Sequence, residues 1–263
     1  MGTWKTVGDP SVYGSLSLEA DEALKYLERF REKTGKHLTL THMVGKAVAG
    51  VLEKMPDANA IIRFKHIYLR QDIGIFFQVA TEDEETGEFD LSGLTIHNAN
   101  EKSLEAFVDE FNDHVKKVRA NKDKELARTR KSMSRIPFVL MGLVLTVISF
   151  LSYTLNLSLK RFGIPKDPFG SVMVTNIGSL GLEQAFVPIV PYSRVPLLIA
   201  MGGVREEPVI EEGTVKVAKR MRICATFDHR LLDGSHAAIM ARELKAWFNE
   251  PFKYFDPLDS TDA

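Results

Sequence analysis

A run of 24 uncharged residues, Ile136–Leu159, is the feature that most constrains how this 263-residue chain can fold. As one helix it would be about 36 Å long at ~1.5 Å per residue, enough to cross a hydrocarbon core of about 30 Å. Basic residues flank it on both sides: Arg128, Arg130, Lys131, Arg135, Lys160 and Arg161. Because cations suit an anionic lipid surface, the run predicts either membrane contact or burial within the protein.

A single crossing fits the rest of the chain poorly, because the segments on both sides of the run look like parts of one domain. Three arrangements stay open: a hairpin or re-entrant anchor bending near Gly142 or Ser149–Ser152, a helix in the membrane interface, or an apolar element packed between subunits. Pro137 suits a helix start. The first residues lack the pattern of a signal peptide. We therefore expect a cytoplasmic protein, with peripheral or monotopic contact at the inner face of the membrane as an open alternative.

The remaining composition is that of a globular protein. Its 34 basic and 35 acidic side chains give a net charge of -1, so we expect no nucleic-acid partner. Cys224 is the single cysteine, which excludes an intrachain disulfide and any site that needs several thiolates. The histidine spacings do not suggest metal ligands, and we expect no metal site.

Helix and strand patterns alternate irregularly along the chain, which indicates an α+β fold. Residues 1–12 form an arm with Gly and Pro. Helices are predicted over Glu19–Thr34 with Gly35 as a stop, from a cap near Thr41 to Pro56, over Leu104–Ala120 and over His236–Asn249. Strands are predicted over Tyr13–Leu18, Ile61–Arg70 and Ile73–Ala80 and in the segments that begin at Ser171, Pro196 and Val215, with a hairpin at EEGT.

The segment TFDHRLLDGSHAA, Thr226–Ala238, carries the most informative chemistry. A lone histidine beside a strand end is usually structural, but an imidazole that titrates near neutrality can also take a proton from a thiol or an alcohol. Asp228-His229-Arg230 followed by Asp233-Gly234 resembles the DHRxxDG signature of the acyltransferase components of 2-oxo acid dehydrogenase complexes, relatives of chloramphenicol acetyltransferase.

The resemblance covers about Tyr13 to Pro251. VTNIGSLGLEQAFVPIVP, LTLTHMVGKAVAGVLEKMPDANA and PVIEEGTVKV are similar to family segments and follow in the family order. The resemblance implies a chloramphenicol acetyltransferase-like mixed sheet flanked by helices, assembled as a homotrimer. The catalytic domain would span residues 13–251 with 136–159 as an apolar insertion, and residues 252–263 would form an acidic tail.

Specific roles follow from the resemblance. His229 would be the general base for the thiol of coenzyme A or dihydrolipoamide, and Thr175 would donate to the tetrahedral oxyanion. Asp233 would keep the histidine loop in shape through a charge pair, for which Arg230 is one candidate, and Gly234 would let the next helix start close to the strand. The substrate-binding region would include Asn176, Gly178 and Gly234. In the family the site lies between two subunits of the trimer. The base and the oxyanion donor come from different faces of that contact.

The chain differs from the family pattern in several respects. Residues 1–12 lack the basic helical segment with which the family usually starts. The chain shows no lipoyl domain, so coenzyme A would be a substrate and any lipoyl group would come in trans, from a lipoylated protein or dehydrogenase subunit. The acidic tail lacks an apolar anchor, which favours a free trimer.

There are two alternatives to thioester acyl transfer. O-acetylation of a small alcohol is disfavoured, because the chain has Asp-His-Arg in place of a His-His pair. A non-catalytic trimeric scaffold or membrane-surface organiser is suggested by the missing lipoyl arm, whereas the intact His229 and Thr175 weigh against it.

Overall fold

The computed structural model describes residues 9–82, 89–119, 137–211 and 213–258. Its strands are Ser11–Glu19 (β1), Ala60–Arg63 (β2), His66–Leu69 (β3), Ile75–Glu82 (β4), Phe89–Ile96 (β5), Val172–Asn176 (β6), Leu197–Glu211 (β7) and Thr214–Asp228 (β8). Its helices are Asp21–Thr34 (α1), Leu40–Lys54 (α2), Leu104–Arg119 (α3), Phe138–Ser149 (α4), Gly234–Asn249 (α5) and Pro251–Tyr254 (α6).

Six strands form one mixed sheet in the order β1-β8-β7-β6-β4-β5. The central strand β6 runs parallel to both β4 and β7, and the other pairs are antiparallel. Helices α1, α2, α3 and α5 share the main core with one face of the sheet, so the predicted α+β class with a mixed sheet and flanking helices is confirmed. β2 and β3 form a separate two-stranded sheet.

The two faces of the sheet bury different sets of side chains. Along β6, Val172 and Val174 belong to the main core shared with the helices, whereas Met173 belongs to a smaller cluster on the opposite face. This alternation follows from the two-residue period of a strand. The smaller cluster is covered by Val187 and Ile189 from the connection between β6 and β7. The middle of the sheet is therefore buried on both sides.

The predicted helices are confirmed with shifted ends. Gly35 ends α1 in a left-handed conformation, as predicted, and its N–H donates to the Arg31 carbonyl. The cap of α2 is Thr39 rather than Thr41, because the Thr39 hydroxyl accepts from the backbone N–H of His42. The last long helix begins at Gly234, two residues before the predicted start, since Asp233 caps it.

The strand prediction was wrong in two places. The segment Ile61–Arg70 is a hairpin of two short strands, because Phe64 and Lys65 both adopt positive φ and turn the chain between β2 and β3. Strand β5 was not predicted, although it pairs with β4 along its whole length. The acidic stretch between the two strands lies mostly outside the described residues.

The folded body also extends beyond the predicted boundary at Pro251. Phe255 is buried in the main core. The Asp256 carbonyl accepts from the Tyr26 hydroxyl, and the Asp256 carboxylate accepts from the backbone N–H of Leu104. At the other end β1 begins at Ser11, inside the predicted N-terminal arm.

The uncharged run is not one continuous helix. α4 continues into a π-helical turn at Phe150–Thr154, after which the chain leaves the helix. Within the described ranges, no helix has both the length and the apolar character needed to cross a membrane. Ile136, the first residue of the run, and the basic segment before it lie outside the described part of the chain.

His42 closes the first turn of α2 from a buried position. Its backbone N–H donates to the Thr39 hydroxyl, and its Nδ1 accepts from the Thr39 N–H at 3.1 Å. Its ring stands edge-on to Phe111, with centroids 4.4 Å apart. Burial, together with the nearby His37 and Arg31, lowers the pKa of His42 to about 4. The imidazole is therefore neutral in the folded protein at neutral pH.

Acidification should destabilise the fold through His42. Because its folded pKa is lower than its unfolded value of about 6.5, the unfolded chain binds the proton first, and stability present above pH 6.5 is lost as the pH falls toward 4. His42→Gln keeps a capping-box acceptor but does not titrate. Denaturant unfolding at pH 7 and pH 5 should show the wild type losing about 2 kcal/mol more than the variant. Equal losses would show that His42 does not control this pH dependence.

Candidate active site

The end of β8 carries His229 out of the sheet in a turn fixed from both sides. The backbone N–H of Asp228 donates to the Pro196 carbonyl at 2.9 Å, and the N–H of His229 donates to the Pro10 carbonyl at 3.0 Å. The strands on either side of β8 thus hold the backbone from which His229 projects. The side chain is exposed at this end of the sheet.

The His229 imidazole is oriented by a backbone acceptor. Its Nδ1 lies 2.9 Å from the carbonyl oxygen of Leu232, a residue that is itself buried. A carbonyl oxygen can only accept, so in the neutral ring Nδ1 carries the proton and Nε2 carries the lone pair. The geometry therefore makes Nε2 the atom that can take up a proton.

Asp228 and Arg230 form a closed pair beside this histidine. The Asp228 carboxylate accepts from the backbone N–H of Arg230 at 3.0 Å, from its Nε at 2.9 Å and from its Nη2 at 2.6 Å. Because this pairing engages the guanidinium, Arg230 is not the charge partner that was a candidate for Asp233. It stabilises the turn on which His229 sits.

Asp233 is the N-cap of α5. Its carboxylate accepts from the backbone N–H of Ser235 at 2.9 Å, from the Ser235 hydroxyl at 2.6 Å and from the backbone N–H of His236 at 3.0 Å. Hydrogen bonds hold the pKa of Asp233 far below its usual range. The largest effect comes from the Ser235 hydroxyl, and smaller ones come from the backbone and side chain of His236. Gly234 has open space around it, so the close approach predicted for it is not observed.

Thr175 lies on β6 in the centre of the sheet, half-buried. Its Cα is paired with Gln78 on β4 and with Ala200 on β7. The next residue, Asn176, donates from Nδ2 to the Thr41 hydroxyl at 3.1 Å. Strand pairing on both sides thus fixes the backbone that carries the Thr175 hydroxyl.

The turn after β6 packs directly on the backbone of β7. A Cβ on Gly178 would overlap the backbone of Gly202 and Gly203, where the β7–β8 pairing shifts register. The Asn176 side chain accepts from the backbone N–H of Ser179 at 3.1 Å. Asn176 and Gly178 therefore shape the turn beside Thr175, which is the role that the structure shows for these two predicted binding residues.

His229 and Thr175 are far apart within one chain. Thr175 is paired with Ala200 and Ala200 with Cys224, whereas His229 lies five residues beyond Cys224 along β8. With ~3.3 Å per residue along a strand and ~4.8 Å between strands, the two residues are roughly 19 Å apart. A single subunit does not bring them together.

A cleft of about 450 Å³ opens beside the histidine turn. Its apolar wall includes Ile61, Ile62 and Ile189, and Asp228, Arg230 and Arg194 add polar groups. The Arg194 guanidinium donates to the Ser149 hydroxyl of α4 at 3.4 Å. Among the residues that the structure describes, no cluster of His, Cys, Asp and Glu could hold a metal ion.

Sequence reasoning missed the backbone groups of the site. The carbonyls of Leu232 and Pro10 fix the histidine turn, and a backbone acceptor leaves no signal in the residue type. The capping role of Asp233 did have a signal, because an Asp followed by a small turn residue and a helix is a common N-cap pattern.

Comparison with known proteins places these observations in context. The model of the family "2-oxoacid dehydrogenases acyltransferase (catalytic domain)" matches residues 5–132 and 168–255. A relative from Bacillus subtilis, the lipoamide acyltransferase component of a branched-chain alpha-keto acid dehydrogenase complex, is 26% identical over 79% of this chain and 38% of its own length.

Solved structures share the fold. A probable dihydrolipoamide acetyltransferase from Listeria monocytogenes has a TM-score of 0.68 at 20% identity, over 99% of this chain and 91% of that one. The dihydrolipoamide acetyltransferase of Azotobacter vinelandii has a TM-score of 0.68 at 18% identity, over 95% of this chain and 85% of that one.

The chain spans about two fifths of the length of two curated relatives that it matches, 38% of one and 41% of the other. The family model nevertheless covers well over half of the chain and both segments that carry the site. The chain therefore belongs to the family of 2-oxoacid dehydrogenase acyltransferase catalytic domains.

Proposed function

We propose that this protein transfers an acyl group between coenzyme A and dihydrolipoamide or a related thiol. The observation that carries the proposal is the orientation of His229, whose Nδ1 is bound to the Leu232 carbonyl so that Nε2 can act as the base. A thiol is a suitable partner, because an imidazole can take the proton of a thiol and so generate the nucleophilic thiolate.

The reaction follows from these groups. Nε2 of His229 takes the proton of the attacking thiol, and the thiolate adds to the carbonyl carbon of the acyl thioester. The oxyanion of the tetrahedral intermediate accepts a hydrogen bond from the Thr175 hydroxyl. Collapse of the intermediate breaks the original C–S bond, and the departing thiolate takes the proton back from the His229 imidazolium.

The active site would lie between subunits of a homotrimer. The separation of His229 and Thr175 within one chain supports this proposal, because their joint action requires His229 of one subunit to approach Thr175 of a neighbour. The strand-paired position of Thr175 and the exposed position of His229 suit such a contact. An isolated subunit would then be inactive.

The Azotobacter vinelandii enzyme gives further support. A serine, a histidine and an asparagine have been investigated there for their role in the catalytic mechanism, and its histidine and asparagine lie four positions apart. The same separation joins His229 and Asp233 here. Thr175 would take the part of the hydroxyl, and Asp233 would act as a positioning residue through its cap on α5.

The substrates would be carried by other molecules. The relatives are components of dehydrogenase complexes, which supports a lipoylated protein or a dehydrogenase subunit as the partner that presents dihydrolipoamide in trans. Coenzyme A would enter as a substrate. The cleft beside Asp228 and Arg230 has an apolar wall and polar rim suited to a thiol-bearing arm.

A second part of the proposal concerns location. The apolar run from Ile136 to Leu159 would rest against a membrane surface without crossing the bilayer. The short α4 and its exposed apolar side chains support this arrangement.

Removal of either reacting group should abolish most of the activity. With acetyl-coenzyme A and dihydrolipoamide, His229→Ala should lower kcat/KM by at least about 100-fold, and Thr175→Val by about 100- to 1,000-fold, because the base and the oxyanion donor are lost. His37→Ala, which removes an exposed histidine elsewhere, is the matched control. A wild type no faster than His229→Ala with any short acyl donor would contradict the proposal and favour the non-catalytic trimeric scaffold.

Mixing two inactive variants tests whether the site is shared between subunits. In trimers assembled at random from His229→Ala and Thr175→Val chains, an intact His229 meets an intact Thr175 at about a quarter of the interfaces. Co-expressed, differently tagged chains should therefore recover about a quarter of wild-type activity. Mixed trimers that are no more active than either parent would show that the shared-site arrangement is wrong.

Two substitutions of Asp233 separate a cap from a charge. Asp233→Asn keeps a good N-cap acceptor, so its thermal unfolding midpoint and kcat should stay close to those of the wild type. Asp233→Ala removes the acceptor and should lower both together, because α5 and the His229 turn lose their common anchor. An Asn variant as impaired as the Ala variant would mean that the charge itself is required.

A further inference from the structure

One face of α4 is exposed and entirely uncharged. Its exposed positions, continued by the first residue of the π-helical turn, are Val139, Leu140, Gly142, Leu143, Thr146, Val147 and Phe150. Intervals of three and four residues place them on one side of the helix. The Thr146 hydroxyl, the single polar group of the set, donates to the Gly142 carbonyl at 2.8 Å. Val139 is 90% and Leu143 64% exposed.

The opposite side of the same segment is fixed to the protein body. Tyr153 and Ser149 are buried. The Ser149 hydroxyl accepts from the guanidinium of Arg194, and the Tyr153 ring stands edge-on to Tyr192 with centroids 6.3 Å apart. The exposed face is therefore held in one orientation, with its apolar side chains directed away from the protein.

The β2–β3 hairpin extends this face. Phe64 at its tip is 61% exposed and packs edge-on against Phe150, with centroids 6.4 Å apart. The neighbouring Arg63 donates from Nη2 to the Asn156 side chain at 3.4 Å. Val139, Leu140, Leu143, Val147, Phe150 and Phe64 are called the apolar patch below.

The two segments that supply the apolar patch carry charges of one sign. Residues 61–70 and 137–166, which supply the patch and its surroundings, contain six Lys and Arg residues and no Asp or Glu. The cations are Arg63, Lys65, Arg70, Lys160, Arg161 and Lys166. Arg70 is paired with Asp167, whereas Lys65, Lys160, Arg161 and Lys166 are exposed.

An apolar face with a cationic surround matches the interface of an anionic bilayer, where acyl chains meet negatively charged headgroups. A second copy of the chain fits less well, because pairing two such patches would bring their cations together. α4 with its π-helical turn has 17 residues, about 25 Å at ~1.5 Å per residue. It is too short to cross and long enough to lie along the interface.

Most of the apolar patch also lies outside the segments that the family sequence model matches. The family model matches up to residue 132 and resumes at residue 168, so all of α4 falls outside it. Phe64 belongs to the matched part, but it contacts the unmatched segment. The acyl-transfer chemistry common to the family therefore does not account for the exposed face of α4.

We propose that the apolar patch docks this protein on an anionic lipid bilayer. The side chains of Leu143, Val147, Phe150 and Phe64 enter the interface, and Lys65, Lys160 and Arg161 bind the headgroups. This proposal rests on the proposed membrane location and names the residues that make the contact. It does not depend on the acyl-transfer chemistry.

Vesicle flotation of the full-length protein tests the docking. The protein should float with vesicles of phosphatidylglycerol and phosphatidylcholine, and far less with phosphatidylcholine alone. Leu143→Gln with Val147→Gln should lower the partition coefficient at least tenfold, whereas the apolar pair Leu143→Met with Val147→Ile should leave it near the wild-type value. Each neutralisation among Lys65, Lys160 and Arg161 should lower binding to the anionic vesicles about fivefold.

Two controls make the result decisive. Arg242→Gln with Lys245→Gln removes exposed charges from α5 and should bind like the wild type. Acyl transfer without vesicles should be equal in the wild type and the Leu143/Val147 variants, so a failure of docking is distinguishable from a failure of the enzyme.

A protein that does not bind anionic vesicles, or glutamine variants that bind normally, would overturn the proposal. So would glutamine variants that change the sedimentation coefficient, since the patch would then join copies of the chain.

Discussion

The close packing of helix α2 between the sheet and α5 is the constraint on which the rest of the molecule depends. α2 is buried along most of its length. A Cβ at Gly45 would overlap the Phe77 ring of β4, and one at Gly50 would overlap the Trp247 ring of α5. Both contacts require the absence of a side chain, so α2 fixes how far the sheet and α5 can be apart. Because Asp233 caps the start of α5, this distance also sets where the His229 turn lies.

Polar groups on α2 extend the same control to the other layers. The Lys46 ammonium is buried and donates to the carbonyls of Ala99, Asn100 and Lys102, just before α3 begins. Burial lowers the pKa of Lys46, and the three carbonyls satisfy all three N–H donors of the charged form. Thr41 binds Asn176 at the end of β6. The segments that carry Thr175 and His229 are thus both positioned against one helix.

An element of this structure could be predicted from the sequence where its own residues show a characteristic pattern. The helices were predictable because their apolar positions repeat with helical spacing, and His229 stood out through the residues around it. The β2–β3 turn was missed because Phe64 and Lys65 adopt positive φ without the Gly or Asn that usually marks such a turn. β5 was missed because Ser92 and Gly93 interrupt its apolar alternation. The distance between His229 and Thr175 depends on strand order, which no local pattern contains.

The position of α4 in the chain has a consequence for how proteins of this kind diversify. It lies between α3 and β6, in a connection that leads into the central strand, while the residues that pair β6 with β4 and β7 begin only at Val172. A connection of this type has to reach the next strand but need not keep a set length. Natural selection can therefore lengthen, shorten or replace the α4 segment independently of the strands and turns that carry Thr175 and His229. The surface that α4 presents to its surroundings can thus change while the strands of the sheet stay as they are.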